Sequence, residues 1–157
     1  MVAKMDSEQL KKIIENNWKK IDEINTQTKG ELPDAINEII NLLNKGKIRV
    51  AEKINNEWIV NQWIKQAILL SFKINEMENL SGPYSSWYDK AHLLKGKTSG
   101  WTKEDHVKAG FRMVPNSPVR NGSFIGKNAV LMPCYVNIGA YIGEGTMIDT
   151  FARAGSC

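Results

Sequence analysis

The chain has 157 residues, 42% hydrophobic and 24% charged, the balance of a soluble globular protein with one ordinary domain or two small ones. Its net charge of +4 comes from basic residues scattered along the chain, so the basic stripe of a nucleic-acid binder is missing and no such partner is expected. No run of about 18 apolar residues occurs, and residues 1–10 lack the charged head and apolar stretch of a secretory leader, so a cytoplasmic protein with no membrane partner is expected.

Asp6 followed by Gln9 has the form of a capping box, and Leu10, Ile13, Ile14, Trp18 and Ile21 then recur at helical spacing. A polar linker follows near residues 26–30. Pro33 and Gly46 bracket a second helix, whose Ile36, Ile39, Ile40 and Leu43 form one apolar stripe. Plain core packing accounts for all of these residues.

Residues 48–53 and 57–60 are short β-prone runs separated by Ile54, Asn55 and Asn56, and the Asn-Asn pair suits the positive φ of a tight hairpin. Residues 62–74 are apolar on more than one face as a helix, so this element should be central to the first unit. Residues 81–100 are rich in turn formers, with Trp87 and Tyr88 among them, and read as an irregular connection. A short helix over residues 102–108 ends at Gly110.

Beyond Val119 the composition changes. Ile125, Leu131, Val136, Ile142, Ile148 and Ala154 open successive units of six residues, apart from the five-residue unit Leu131-Met-Pro-Cys-Tyr135. Each unit reads as one short strand on one side of a three-sided coil. The opening residue points inward, a small residue four positions later (Ala129, Ala140, Thr146, Ala152) fits the corner, and Gly126, Gly143 and Gly145 ease the turns. An ordinary sheet would show period two. The spacing leaves the handedness of the coil open.

Cys134 and Cys157 lie far apart, with no CxxC pair and no nearby histidine, so free buried thiols are expected rather than a metal site or a disulfide framework. The two histidines, His92 and His106, precede the repeats. A metal-dependent hydratase or a histidine-based acyltransferase built on such coils is therefore disfavoured.

Several stretches together resemble the tetrahydrodipicolinate N-succinyltransferases. They are Arg49-Val-Ala-Glu-Lys53, Gln62-Trp63, Leu69-Leu-Ser-Phe72, Gly110-Phe-Arg-Met-Val-Pro115, Val130-Leu-Met-Pro133, Tyr135-Val-Asn-Ile-Gly-Ala-Tyr141 and Glu144-Gly-Thr-Met-Ile-Asp-Thr150. The resemblance departs at Asn116-Ser-Pro118, Cys134, Phe151 and the loop around residues 87–100. It implies an α+β chain, with a mainly helical domain over residues 1–110 and the first coils of a left-handed parallel β-helix over residues 111–157.

The resemblance further implies a cytoplasmic homotrimer of lysine and diaminopimelate biosynthesis. Such an enzyme moves a succinyl group from the co-substrate succinyl-CoA to the amino group of ring-opened tetrahydrodipicolinate, without a metal. Arg112 falls on the family's substrate-binding arginine, whose guanidinium fork suits a dicarboxylate. Asp149 falls on the family's substrate-binding aspartate; it would hold the substrate nitrogen or take a proton as the amine attacks, and is the catalytic candidate. The groove for CoA belongs in that family to later coils, so the chain is expected to be a fragment of a longer protein or the product of a broken reading frame. The rival readings are a non-catalytic trimerisation or scaffold module and an acyltransferase acting on another amine.

A solenoid is stabilised by neighbour-on-neighbour stacking. The 157-residue chain by itself is therefore expected to assemble poorly and to show no succinyltransferase activity. Its mass in solution and CoA thiol release with both substrates check this; a well-behaved trimer releasing CoA would contradict it.

Overall fold

The computed structural model describes residues 5–156, and Cys157, expected to be a free thiol, lies outside them. The described chain is α+β: helices dominate its first part and short strands its last. Helix α1 (Ser7–Trp18) begins at the expected capping box, Asp6 accepting from the Gln9 N–H while the Gln9 side chain accepts from the Asp6 N–H. A 3₁₀ turn (Ile21–Glu23) and the polar linker lead to α2 (Glu31–Asn44). Helix α2 stops in a Schellman motif, in which Gly46 N–H donates to Leu43 O and Lys47 N–H to Leu42 O, both at 2.9 Å. Gly46 takes φ +65° there, and a Cβ on it would lie 2.7 Å from the Phe124 ring.

Strands β1 (Ala51–Ile54) and β2 (Glu57–Val60) form an antiparallel hairpin. Asn55 and Asn56 hold φ +48° and +71°, the two positive values that a two-residue turn requires. Ile54 belongs to the strand, not the turn. Helix α3 (Gln62–Ile74) packs on α1 and α2, burying Ile64, Ala67, Ile68 and Leu70. Leu69 stays 41% exposed, so the helix is central without being apolar all round.

Residues 81–100 differ from the irregular connection expected. Strands β3 (Met77–Ser81) and β4 (Ser86–Lys90) pair as a second hairpin, followed by the short α4 (Ala91–Leu94). Both strands face solvent along most of their length, so neither carries the period-two alternation that marks a strand. Turn formers at 82–85 close the loop instead of breaking the segment, with Gly82 N–H donating to Ser85 O at 2.8 Å. Helix α5 (Lys103–Ala109) follows, capped by Thr102 and Asp105 and ended by Gly110 at φ +72°.

The remaining strands are two residues each: β5 (Arg112–Met113), β6 (Phe124–Ile125), β7 (Val130–Leu131), β8 (Tyr135–Val136), β9 (Tyr141–Ile142), β10 (Met147–Ile148) and β11 (Arg153–Ala154). They pair in parallel in three columns. One is β5-β7-β10, another β6-β9, and the third β8-β11 with Val119 bridged to Val136. Every partner lies 17 or 18 residues along the chain, three units of five or six. The second residue of each strand from β6 to β11 is the aliphatic opener of a repeat unit. Ile125, Leu131, Val136 and Ile142 are buried, whereas Ile148 and Ala154 in the last turn are half-buried. Pairing starts at Arg112, a turn earlier than the first unit legible in the sequence.

Two apolar clusters result. Leu10, Ile14, Ile36, Ile39, Ile64 and Ile68 anchor the helical one. Phe111, Val119, Ile125, Leu131, Val136 and Ile142 anchor the stacked one. Ile138, fully buried, leaves the stack and joins the helical cluster, so the two are packed against each other. Around it, Phe124 covers Gly46, Asn44 Oδ1 accepts from Gly122 N–H at 2.9 Å, and Asn44 pairs with Asn121. Truncating a buried isoleucine removes transfer free energy and leaves a cavity. Ile138→Ala is expected to destabilise the chain by about 2 to 4 kcal/mol, read from denaturant unfolding; a loss below about 1 kcal/mol would show that the joint is not packed through it.

Candidate functional site

Arg112 opens β5 with its side chain exposed, while Met113 turns inward against the stacked core. The strand is fixed by its backbone: Arg112 N–H donates to Ala129 O at 2.9 Å and Val114 N–H to Leu131 O at 3.0 Å. The register places Arg112, Val130 and Met147 in line on the outer face of one column. Asp149 stands two residues beyond Met147 and is also exposed. It opens a four-residue turn closed by Ala152 N–H donating to Asp149 O at 3.0 Å, and its carboxylate accepts from Thr150 N–H at 2.7 Å. Arg112 and Met147 thus sit two strand levels apart on one column, about 10 Å at ordinary strand spacing, and Asp149 lies two residues farther along, in the turn that follows β10.

The four arginines divide into two kinds. Arg49 lies 3.4 Å over the Tyr141 ring, and Arg120 forms an ion pair with Asp89 and faces the Tyr135 ring at 5.8 Å. These two fasten elements together. Among the described residues, Arg112 and Arg153 have no side-chain hydrogen bond, ion pair or ring contact.

A notch of about 490 Å3 lies beyond Asp149, lined by Asn116, Pro118, Pro133, Tyr135, Phe151 and Arg153, with Cys134 also on its wall. Its origin is the unit length. From the inward residue of the first column to that of the next there are six steps in the lower turn (Met113 to Val119) and six in the upper (Ile148 to Ala154). The middle turn (Leu131 to Val136) has five. The corner residue missing from the middle turn is the one that holds positive φ above and below, Asn116 at +63° and Phe151 at +59°. Asparagine tolerates that conformation, whereas phenylalanine bears a cost of about 1 to 2 kcal/mol. Phe151 nevertheless leaves its ring 91% exposed. Sequence reading marked Phe151 only as a departure from the family pattern and did not single out Arg153, although the five-residue unit was the signal that marked this corner.

The groups with displaced pKa lie elsewhere. Ser71 Oγ donates to Ile68 O at 2.6 Å, so the 3.1 Å contact from His92 Nε2 is an N–H donated to that oxygen, and Nδ1 is buried without a partner. Burial first, then the Arg120 guanidinium, holds His92 down to about 4 from its ordinary 6.5. Lys97 donates to the Asn44 carbonyl and side-chain oxygens at 3.1 Å, and burial lowers it to about 8. Burial pushes the Cys134 thiol up. Among the described residues no group of three His, Cys, Asp or Glu side chains is placed to hold a metal ion, and no helix is long and apolar enough to cross a membrane.

Comparison with known proteins gives a consistent result. Residues 9–74 match the family model described as tetrahydrodipicolinate N-succinyltransferase N-terminal. The chain is 69% identical over 132 residues to the 2,3,4,5-tetrahydropyridine-2,6-dicarboxylate N-succinyltransferase of Pelagibacter ubique, a match covering 84% of this chain and 48% of that protein. It is 47% identical over 156 residues to the protein of the same name from Parvibaculum lavamentivorans, covering 98% and 54%. With that of Bartonella bacilliformis it shares 49% over 152 residues, covering 95% and 53%. The chain spans about half the length of these curated relatives.

His92 gives a pH test of the packing of α4 against α3. Its folded pKa lies below its unfolded value, so between about 4 and 6.5 the unfolded chain binds the extra proton. Stability is therefore expected to fall as pH drops through that window. His92→Gln, which keeps a donor for Ser71, should flatten this part of the curve; an unchanged slope in urea unfolding from pH 7 to 4 would contradict the assignment.

Proposed function

The chain belongs to the tetrahydrodipicolinate N-succinyltransferase family, and on that premise we propose that it works in succinyl transfer from succinyl-CoA to the amino group of ring-opened tetrahydrodipicolinate. This places it in lysine and diaminopimelate biosynthesis, in the cytoplasm. The observation that carries the reading is Arg112, an exposed guanidinium in the Gly110-Phe-Arg112 motif with no partner in the described chain, on a strand whose backbone is held from one side. A fixed backbone under an uncommitted fork suits bidentate capture of a carboxylate.

In this reading Asp149 meets the acceptor nitrogen. As the amine attacks the thioester carbonyl, a carboxylate within hydrogen-bond reach can orient the nitrogen and take the proton it sheds, while the CoA sulfur departs. The turn opened by Asp149 holds it at the edge of the column instead of inside the core. We read the three columns as the first turns of a left-handed parallel β-helix over residues 111–157, with residues 1–110 as a helical domain. The parallel pairing at 17 or 18 residues supports the coil. The outward faces of such a coil are free for packing into a homotrimer, where a site between copies would bring residues from different levels together.

The kinetic test is made in a protein spanning the length of the relatives. Arg112→Lys is expected to raise the KM for tetrahydrodipicolinate by about ten- to a hundredfold and to leave that for succinyl-CoA nearly unchanged. Equal effects on both would overturn the assignment. Asp149→Asn should lower kcat with the assembly intact, and near-normal turnover would leave Asp149 a turn residue only.

A further inference from the structure

We infer that the β1–β2 hairpin is an arm that docks on a second copy of the chain, laying Trp58 and Val60 on the outer face of that copy's β5-β7-β10 column around Met147. The contact rests on the homotrimer reading above and names a surface that builds it.

The hairpin is braced at its base and bare along its blade. Arg49, two residues before β1, lies 3.4 Å over the Tyr141 ring, and Asn61 N–H donates to Val50 O at 2.7 Å. The Asn61 side-chain N–H groups donate to Arg49 O and Glu52 Oε1, both at 2.8 Å. Beyond that base β1 and β2 pack chiefly on each other. Trp58 is 69% exposed and Val60 54%. A two-stranded ribbon standing alone is marginally stable in water, and a bare tryptophan and valine side by side on it mark an interaction surface.

The register sorts the side chains into two faces. Ala51, Lys53, Trp58 and Val60 share one, whereas Glu52, Ile54, Glu57 and Ile59 share the other. The first is apolar apart from one cation, and the second carries two carboxylates. The first is therefore the docking face, and the second stays in water. Turning the carboxylates toward a column that displays Arg112 would occupy the guanidinium kept for the acceptor.

The β5-β7-β10 column supplies the match. Met147 is 59% exposed on it, beside the half-buried Val130. A thioether against an indole and one valine against another form a favourable apolar centre. At the corner before β10, Glu144 has no ion pair among the described residues, not even with Lys127 one level below it, and Lys53 has none either. The two surfaces thus carry opposite charges at the edge of their apolar centres. A hairpin cannot cover the column of its own chain, because its base is tied to Tyr141 in the β6-β9 column, on another side of the stack. Joining unlike surfaces, the contact is head-to-tail and closes into a ring of copies. The second copy's Trp58 then stands as a wall beside Asp149, two residues beyond Met147.

The test uses a protein spanning the length of the relatives. A chain carrying Val60→Cys and Met147→Cys is treated with a short bismaleimide. Covalent dimers and trimers are expected, with the peptide holding residue 60 joined to that holding residue 147, and either substitution alone should give no such joined peptide. A link from 60 to 60, a 60-to-147 link confined to single chains, or no link to 147 overturns the proposal. Sedimentation gives an independent reading. Trp58→Ala is expected to weaken association at least about tenfold, with Trp58→Phe recovering most of it. Lys53→Glu should weaken it too, and adding Glu144→Lys should restore it. Trp58 is exposed in the single chain, so its replacement leaves each copy's own core unaltered. If the unaltered protein sediments as a monomer, the homotrimer reading and the arm fall together. If it assembles and Trp58→Ala leaves the assembly unchanged, the arm alone falls.

Discussion

Everything after residue 110 depends on one constraint, that an aliphatic side chain must come round to the same interior line after each turn of 17 or 18 residues. A two-residue strand has almost no stability of its own. It exists because its backbone donates upward, as Phe124 does to Ala140 and Val130 to Thr146, while Ile125 and Leu131 stack beneath Ile142 and Ile148. Hydrogen bonding and packing therefore fix the same register. A shift of one residue would turn Arg112 inward and Met113 outward, burying a charge in the apolar interior.

The functional consequence follows from the alternation. With the second residue of each strand committed to the interior, the first is delivered to the outer face, and the outer series includes Arg112 and Arg153 with Tyr135 and Tyr141. Two of these, Tyr141 and Tyr135, receive Arg49 and Arg120 and serve the joint with the helices. Among the described residues, Arg112 and Arg153 make no such contact. The helical part contributes position more than chemistry: Ile138, Phe124 on Gly46 and the Asn44 contacts lock the stack against α2.

Much of this was legible in the sequence, for identifiable reasons. The helices carried long apolar stripes, with a capping box opening α1 and Gly46 closing α2, so α1, α2 and α3 could be read nearly to their termini. Asn55-Asn56 announced its hairpin through backbone preference alone. The second hairpin was not legible, because β3 and β4 lie in solvent and are held by pairing between partners whose side chains carry no alternation. The first turn of the stack was hidden for a related reason. Its interior residues, Met113 and Val119, are separated by a polar and proline-rich corner that does not read as a repeat unit. Arg112 and Asp149 were found through motif likeness, whereas the place of Arg153 becomes visible only when the short unit is seen as a gap between two turns. The joint through Ile138 is a contact distant in sequence and left no local trace.

Amide hydrogen exchange tests the central claim, that stacking between turns forms the outer face that presents Arg112. The donors that cross between turns include the N–H groups of Arg112, Val114, Phe124, Gly126, Val130 and Met132. The account predicts that these exchange slowly and together, as one cooperative set, while the exposed corner amides near Asn116 that do not cross exchange fast. Exchange of the crossing amides at unprotected rates, with α1 to α3 still protected, would show that the turns do not stack and that no fixed outer face exists.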